Sequence, residues 1–234
     1  MARGPIVATL PAIFWRPGHR LQGGSDRTLP VEPPARHGYM ATMSGDTLTA
    51  PPESLAPDSA TADAERLTIL IAPHPTLKLT ARPVGPADTE AVRALLPRMF
   101  ATMYQAPGIG LAGPQVGTLL RVAVVDLAPK NIRQPIALIN PQIVAVSDEL
   151  ATREEGCLSL PNQFADITRP ARVRVRYLDD TGARREIEAD DLLGACLQHE
   201  IDHLDGVLFV DHLSALKRNI ILRKLAKEQR QKGR

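Results

Sequence analysis

Residues 199–203 read His-Glu-Ile-Asp-His, and they are the chain's plainest offer of chemistry. Two residues four apart on a helix share a face and lie about 6 Å apart along its axis, so both imidazoles can reach one metal ion. Glu200, between them, is then placed to exchange a proton with a water at the same ion. An amphipathic helix carrying two solvated histidines has the same spacing. Leu192, Leu193, Leu197 and Ile201 argue against it, because they make this the buried helix of the chain, and buried polar rings without a role are costly. The motif points to a hydrolytic metal centre.

Such a centre needs a third protein ligand and an open position. In metzincin proteases the motif runs on to a Gly and a third His. Gly206 is in place, but Phe209 stands where that His should fall and His212 comes three residues too late. Thermolysin-like proteases take a Glu from a later helix, and the candidate, Glu228, lies in a basic tail. Cys196 shares the histidine face, yet a helix rises about 10.5 Å from it to His203, too far for three ligands to converge at bonds of about 2.0–2.3 Å. It reads better as a small apolar residue lining a groove. Cys157 lies in Glu155-Gly156-Cys157-Leu158-Ser159, expected as a loop between strands, and taken alone it reads as a buried apolar residue. A third feature, Gly108-Ile109-Gly110-Leu111-Ala112-Gly113-Pro114-Gln115, packs three glycines into six residues and so lets another backbone approach. It is not a Rossmann phosphate loop, since no βαβ unit surrounds it and the third glycine comes at the wrong interval. Gln115 could donate an N–H to an oxyanion, but a single Gln decides nothing.

These groups must be positioned by ordinary elements. Leu67–Ile71 reads as a strand before Pro73 and Pro75. Asp88 can cap a helix carrying Val92, Leu95, Leu96, Met99 and Met103 at helical spacing, ending before Pro107-Gly108, with Pro97 expected to kink or split it. Strand patterns follow at 120–125, 136–139, 143–146, 172–178 and 184–188, the last two joined by the turn residues Asp179-Asp180-Thr181-Gly182. The histidine helix runs from about Asp191 to Asp205 and stops at Gly206. Ser214 can cap a last helix with Leu216, Ile220, Ile221, Leu222 and Leu225 on its apolar side. This order is not a βαβ alternation. The expected class is α+β, with small antiparallel or mixed sheets around a central metal-binding helix, a C-terminal helix and a disordered N-terminal extension.

The 234 residues, 44% apolar and 23% charged, can form a packed core, and no run of about 18 uncharged apolar residues suggests a membrane span. Two cysteines make no disulfide framework and suit a reducing compartment. Residues 1–64 hold nine of the 21 prolines and no apolar period, so they are expected to be disordered, with the catalytic domain in 65–234. Five arginines against two acids in the first 39 residues hint at an organelle transit peptide; the alternatives are a dispensable extension or a true start at Met40 or Met43. The net charge of +2 hides a basic tail at 217–234, with eight Lys/Arg against the single Glu228.

Taken together and in this order, Gly108–Gln115, Glu155–Ser159 and Gln198–His203 make residues 67–230 resemble peptide deformylase, the metal hydrolase that removes the formyl group from nascent N-formylmethionyl chains. One departure is Gly113, where the family usually has Ala, which should loosen the loop. The resemblance implies that Cys157, His199 and His203 hold one divalent ion, Fe(II) foremost, with Zn(II) or Ni(II) as alternatives. It implies Glu200 as general base, and the Gln115 side chain and Leu158 backbone N–H as oxyanion donors. It places the substrate peptide as an extended strand on Ile109 and Gly110. Leu192, Ala195 and Cys196, on the helix face N-terminal to His199, are expected to line the methionine pocket. Glu155 and Asp202 are expected to orient the ligands, with Arg169 as partner of Glu155. The implied setting is a cytoplasmic monomer, or an organelle if the extension is a transit peptide, with the basic helix contacting the ribosome. Competing readings are a zinc endopeptidase, which would cut unformylated peptides, and a silent metal-binding module, disfavoured because Gln115, Cys157 and Glu200 are all present.

Overall fold

In a computed structural model of the chain, residues 65–128 and 132–232 are described; the expected disorder of residues 1–64 lies outside them. Among the described residues, seven strands form two antiparallel sheets with three α-helices packed on them. Strands β1 (Gly110–Ala112), β2 (Val122–Val125), β3 (Ile136–Val146), β6 (Arg172–Leu178) and β7 (Arg184–Asp190) make a five-stranded sheet in the order β1-β2-β3-β6-β7. Strands β4 (Leu150–Cys157) and β5 (Leu160–Pro170) pair only with each other. The α+β expectation holds.

Strand β2 shows why the sheet is covered on both faces. Its side chains alternate, and all four residues are fully buried. Val122 and Val124 join Leu111 against Val92, Leu96, Met99 and Met103 of helix α1 (Thr89–Gln105). Ala123 and Val125 face the other way, into a cluster with Leu197, Ile201 and Leu204 of helix α2 (Asp191–Leu204). Each such valine, leucine, isoleucine or methionine contributes about 1.5–3 kcal/mol when fully buried, so the histidine helix is clamped to the sheet by one face and leaves the other for chemistry. A third cluster, with Leu77, Leu160, Ile167, Phe209 and Leu225, joins the β4–β5 hairpin to helix α3 (Ala215–Lys232).

Several expectations need correction. Leu67–Ile71 joins no ladder; Leu70 N–H donates to the Gln115 carbonyl at 2.8 Å and Ala72 N–H, just past it, to that of Ser159 at 2.9 Å, so this stretch ties the Gln115 turn to the tip of the β4–β5 hairpin. Pro97 does not split α1, because the Arg93 carbonyl it leaves without an N–H lies at an exposed residue that water can serve. The two strands expected at 136–146 are one, interrupted by a register shift between Ile139 and Gln142 with Asn140 at φ 52°. Glu155 to Cys157 belong to β4 and are not a loop. The turn at 179–182 and the end of α2 at Gly206, φ 75°, are as expected. Ser214 Oγ accepts from Lys217 N–H at 3.4 Å at the start of α3. Leu216 and Ile220 are exposed, however: at 3.6 residues per turn Leu216 lies about 180° from buried Leu225. No helix among the described residues is long and apolar enough to cross a membrane.

Candidate metal centre

Helix α2 and strand β4 both supply residues to the centre, and each contributes by its own period. On β4, alternation turns Glu155 and Cys157 to the same side, with a register shift between Gly156 and Cys157 where the hairpin closes. On α2, His199 and His203 are one turn apart, their rings edge to face at 5.0 Å. The Cys157 thiol and one nitrogen from each imidazole all lie within 4.8 Å of one another, with Cys157 Sγ 3.2 Å from His203 Nε2. Tetrahedral bonds of about 2.0–2.3 Å put donor atoms about 3.3–3.8 Å apart, so the three converge as ligands of one ion would. Thiolate and imidazole suit Fe(II), Zn(II) and Ni(II) alike. Cys196 stands outside the cluster, its thiol 3.7 Å from the Ile109 carbonyl. Glu228 lies on α3, 3.2 Å from Gln163 Nε2, so the thermolysin-like ligand set does not form.

The two histidines are held differently. His199 Nδ1 is 2.9 Å from Glu155 Oε2, which turns its other nitrogen toward Cys157. Arg169 grips the same carboxylate in bidentate fashion, Nε to Oε1 at 2.6 Å and Nη2 to Oε2 at 3.0 Å. Burial pushes the Glu155 carboxyl up, but His199 and Arg169 outweigh it and hold it at about 2. Burial also pushes His199 down, and there too the partners win: Cys157 and Glu155 hold the ring well above its ordinary value. The surroundings of His199 favour positive charge, which a metal ion supplies as a proton does. His203 is 1% exposed, and its Nδ1 has no hydrogen-bond partner among the described residues. Burial, with His199 beside it, holds His203 well below its ordinary value, in the neutral form that ligation needs.

Facing the ligands is a cleft whose lining includes Ile109, Gly110, Gln115, Leu158, Leu192, Ala195, Cys196 and Glu200. Glu200 is buried, with Oε2 unpartnered among the described residues. Burial pushes its carboxyl up to about 7, with Glu155 adding to the rise and His199 opposing it. Glycine at 110 leaves room for the Glu200 carboxylate where it lies, because a Cβ would stand 2.2 Å from Glu200 Oε1 and push it aside. Gly113, expected to loosen the loop, is packed instead: a Cβ there would meet the Leu120 carbonyl oxygen at 2.8 Å. Gln115 is oriented by its oxygen, which accepts from Ala112 N–H at 2.8 Å. Its Nε2 is thereby aimed at Ser159 Oγ, 3.3 Å away, and Cys157 Sγ, 3.6 Å away.

Asp202 differs from expectation. It touches neither imidazole; its Oδ2 accepts from Arg169 Nη1 at 2.8 Å and lies 2.7 Å from His212 Nε2. It lies next to His203 in sequence, but the helix turns it about 100° away. Ser159, Phe209 and His212 are site residues that sequence reasoning did not find. Phe209, noted only as the wrong residue for a third ligand, stacks on the His199 ring at 6.3 Å and 22°.

Comparison with known proteins agrees with this geometry. The family described as Polypeptide deformylase matches residues 66–219. The chain is 54% identical over 163 residues to a peptide deformylase of Methylocella silvestris, covering 68% of this chain and 83% of that protein. It is 49% identical over 168 residues to one of Rhizorhabdus wittichii, covering 69% and 94%. Among solved structures, a peptide deformylase from Legionella pneumophila superposes with a TM-score of 0.68 at 43% identity, covering 73% of this chain and 99% of that one. One from Ehrlichia chaffeensis in complex with actinonin gives 0.67 at 40% identity, covering 70% and 98%.

Proposed function

The chain belongs to the polypeptide deformylase family, and from that premise we infer how its own residues remove the N-terminal formyl group of nascent peptides. The observation that carries the reading is a buried Glu200 carboxylate, its Oε2 without a partner among the described residues, opening on the same cleft as Cys157 and His199. Cys157, His199 and His203 hold one divalent ion, Fe(II) foremost, with Zn(II) or Ni(II) as alternatives. A bound ion supplies Lewis-acid polarisation of the formyl oxygen and a lowered pKa for water.

Glu200, at about 7, can accept the proton of the attacking water near neutral pH and return it to the departing nitrogen. The water oxygen adds to the formyl carbon, the carbon–nitrogen bond breaks, and formate leaves beside a free N-terminal amine. Gln115 Nε2 and the Leu158 backbone N–H donate to the oxyanion that forms on the way, where losing one donor typically costs about 10²–10³ in turnover. Ile109 and Gly110 bond the peptide backbone as an added strand. Leu192, Ala195 and Cys196 give the flexible thioether of formylmethionine an apolar slot. Glu155 and Arg169 orient His199, and Asp202 acts through Arg169.

The protein works as a cytoplasmic monomer, with the basic face of α3 meeting ribosomal RNA near emerging chains. The test is formate release from formyl-Met-Ala-Ser by the full chain purified without oxygen, with metal content measured on the same sample. Formate with about one ion per chain is expected; no formate from metal-loaded protein overturns the reading.

A further inference from the structure

His212 enters the sequence as a histidine too late to be a ligand, and its place in the fold suggests another use. It ends the short 3₁₀ turn Phe209–His212, at the surface beyond the metal centre. Its Nε2 lies 2.7 Å from Asp202 Oδ2, the same oxygen that accepts from Arg169 Nη1. From Arg169 the chain of contacts passes through the bidentate pair with Glu155 to Nδ1 of His199. The same turn touches His199 a second time, through the stacked ring of Phe209.

We propose that the turn Phe209–His212 is a positioning element for His199, and that His212 is the outer anchor of the side-chain series His212–Asp202–Arg169–Glu155–His199. The proposal rests on the reading of His199 as a metal ligand. Its physical content is a question of what sets the plane of Arg169. That guanidinium is 7% exposed and is held from one side by Glu155 and from the other by Asp202. The Asp202 side chain is 24% exposed and, without His212, is held by Arg169 alone and can turn toward water. Arg169 would then keep only the Glu155 half of its clamp, and the Glu155 carboxylate could follow it away from the His199 ring. The turn does not depend on His212 for its shape: Asp211 caps it by accepting from Leu208 N–H at 2.8 Å and pairs with Lys78. Removal of His212 should therefore loosen the ligand without unfolding the turn.

A surface pair between His212 and Asp202 with no reach inward would be worth little, and zinc affinity separates the two cases. Zinc is titrated into the metal-free full chain against a competing chelator. Partners one step behind a ligand typically change metal affinity 10–100-fold, and a residue further out belongs at the low end, so H212A should weaken zinc binding about tenfold. H212Q, which keeps an N–H donor of similar reach, should restore it to within about twofold. In an E155Q background H212A should cost nothing further, because the link it acts through is already cut. Wild-type affinity in H212A, no rescue in H212Q, or additive losses in the double variant would each overturn the proposal. If H212A lowers the melting temperature, the H212Q comparison still decides. A wild-type chain that takes up no zinc overturns the metal-ligand reading and this proposal with it, whereas zinc uptake indifferent to residue 212 overturns this proposal alone.

Discussion

Behind His199, every side-chain nitrogen and oxygen of Glu155 and Arg169 has a partner, whereas in front of it Glu200 keeps a buried carboxylate oxygen with none among the described residues. Both carboxylates are buried, yet one is held at about 2 and the other raised to about 7. Burial acts on both in the same direction, so the difference comes from the neighbours. Glu155 has a guanidinium and an imidazole bonded to it; His199 and Arg169 lower Glu200 only through space, and its Oε2 has no hydrogen-bond partner among the described residues. A carboxylate held by a guanidinium and an imidazole is a fixture that orients another group. One left without a partner at neutral pH can take up and release a proton, so the two walls divide positioning from reaction.

The sharpest way to break this comparison is Glu200→Gln. It should lower kcat by about 10²–10⁴ while leaving metal content unchanged, as measured by formate release and metal analysis on one sample. Turnover within tenfold of wild type would remove Glu200 from the reaction. Glu155→Gln tests the other wall. It leaves Arg169 without its buried counter-charge and weakens the hold on His199, so metal affinity in a chelator competition should fall about 10–100-fold. Loss of turnover with full metal retention would show that Glu155 reacts and does not position.

Asp179 supplies a smaller, outside reference. Burial pushes its carboxyl up, but bonds from Thr181, Arg185 and the Ala183 N–H outweigh this and hold it at about 2. Because its folded value lies below its ordinary one, the stability it adds is complete above about pH 4 and is lost as pH falls toward about 2. Asp179→Asn should lower the melting temperature at pH 6 by about 1–3 °C, less at pH 3, with formate release untouched. A fall in turnover would mean that paired carboxylates away from the cleft matter as much as Glu155.

What was legible in the sequence follows the range of the interaction. The β6–β7 hairpin and the helices were readable because a turn such as 179–182 or a stripe such as Val92, Leu96 and Met99 is written within a few residues. The β4–β5 hairpin was not. Its inward residues include Glu155 and Arg169, which are buried because they neutralise each other, so the apolar alternation that marks a strand is missing. Leu67–Ile71 failed in the opposite sense: its apolar composition promised a strand, but its Leu67 and Leu70 N–H groups bond the Thr102 hydroxyl of α1 and the Gln115 carbonyl and join no ladder. The family motifs made Cys157, Gln115 and Glu200 identifiable, while Phe209 and His212 carried no local signal, because their partners are ten residues away on the preceding helix.

The sequence by itself determined that His199 and His203 would share a face, since a helical period of 3.6 residues is a local property that any folded context keeps. It also determined that Glu200 would travel with them. Only the tertiary structure decided that Cys157, 46 residues before His203, closes to 3.2 Å from His203 Nε2 and within 4.8 Å of a His199 nitrogen, and that Asp202 faces Arg169 and His212 and neither ligand. Contacts across such separations depend on how a hairpin and a helix pack on a shared core. No spacing along the chain contains that information.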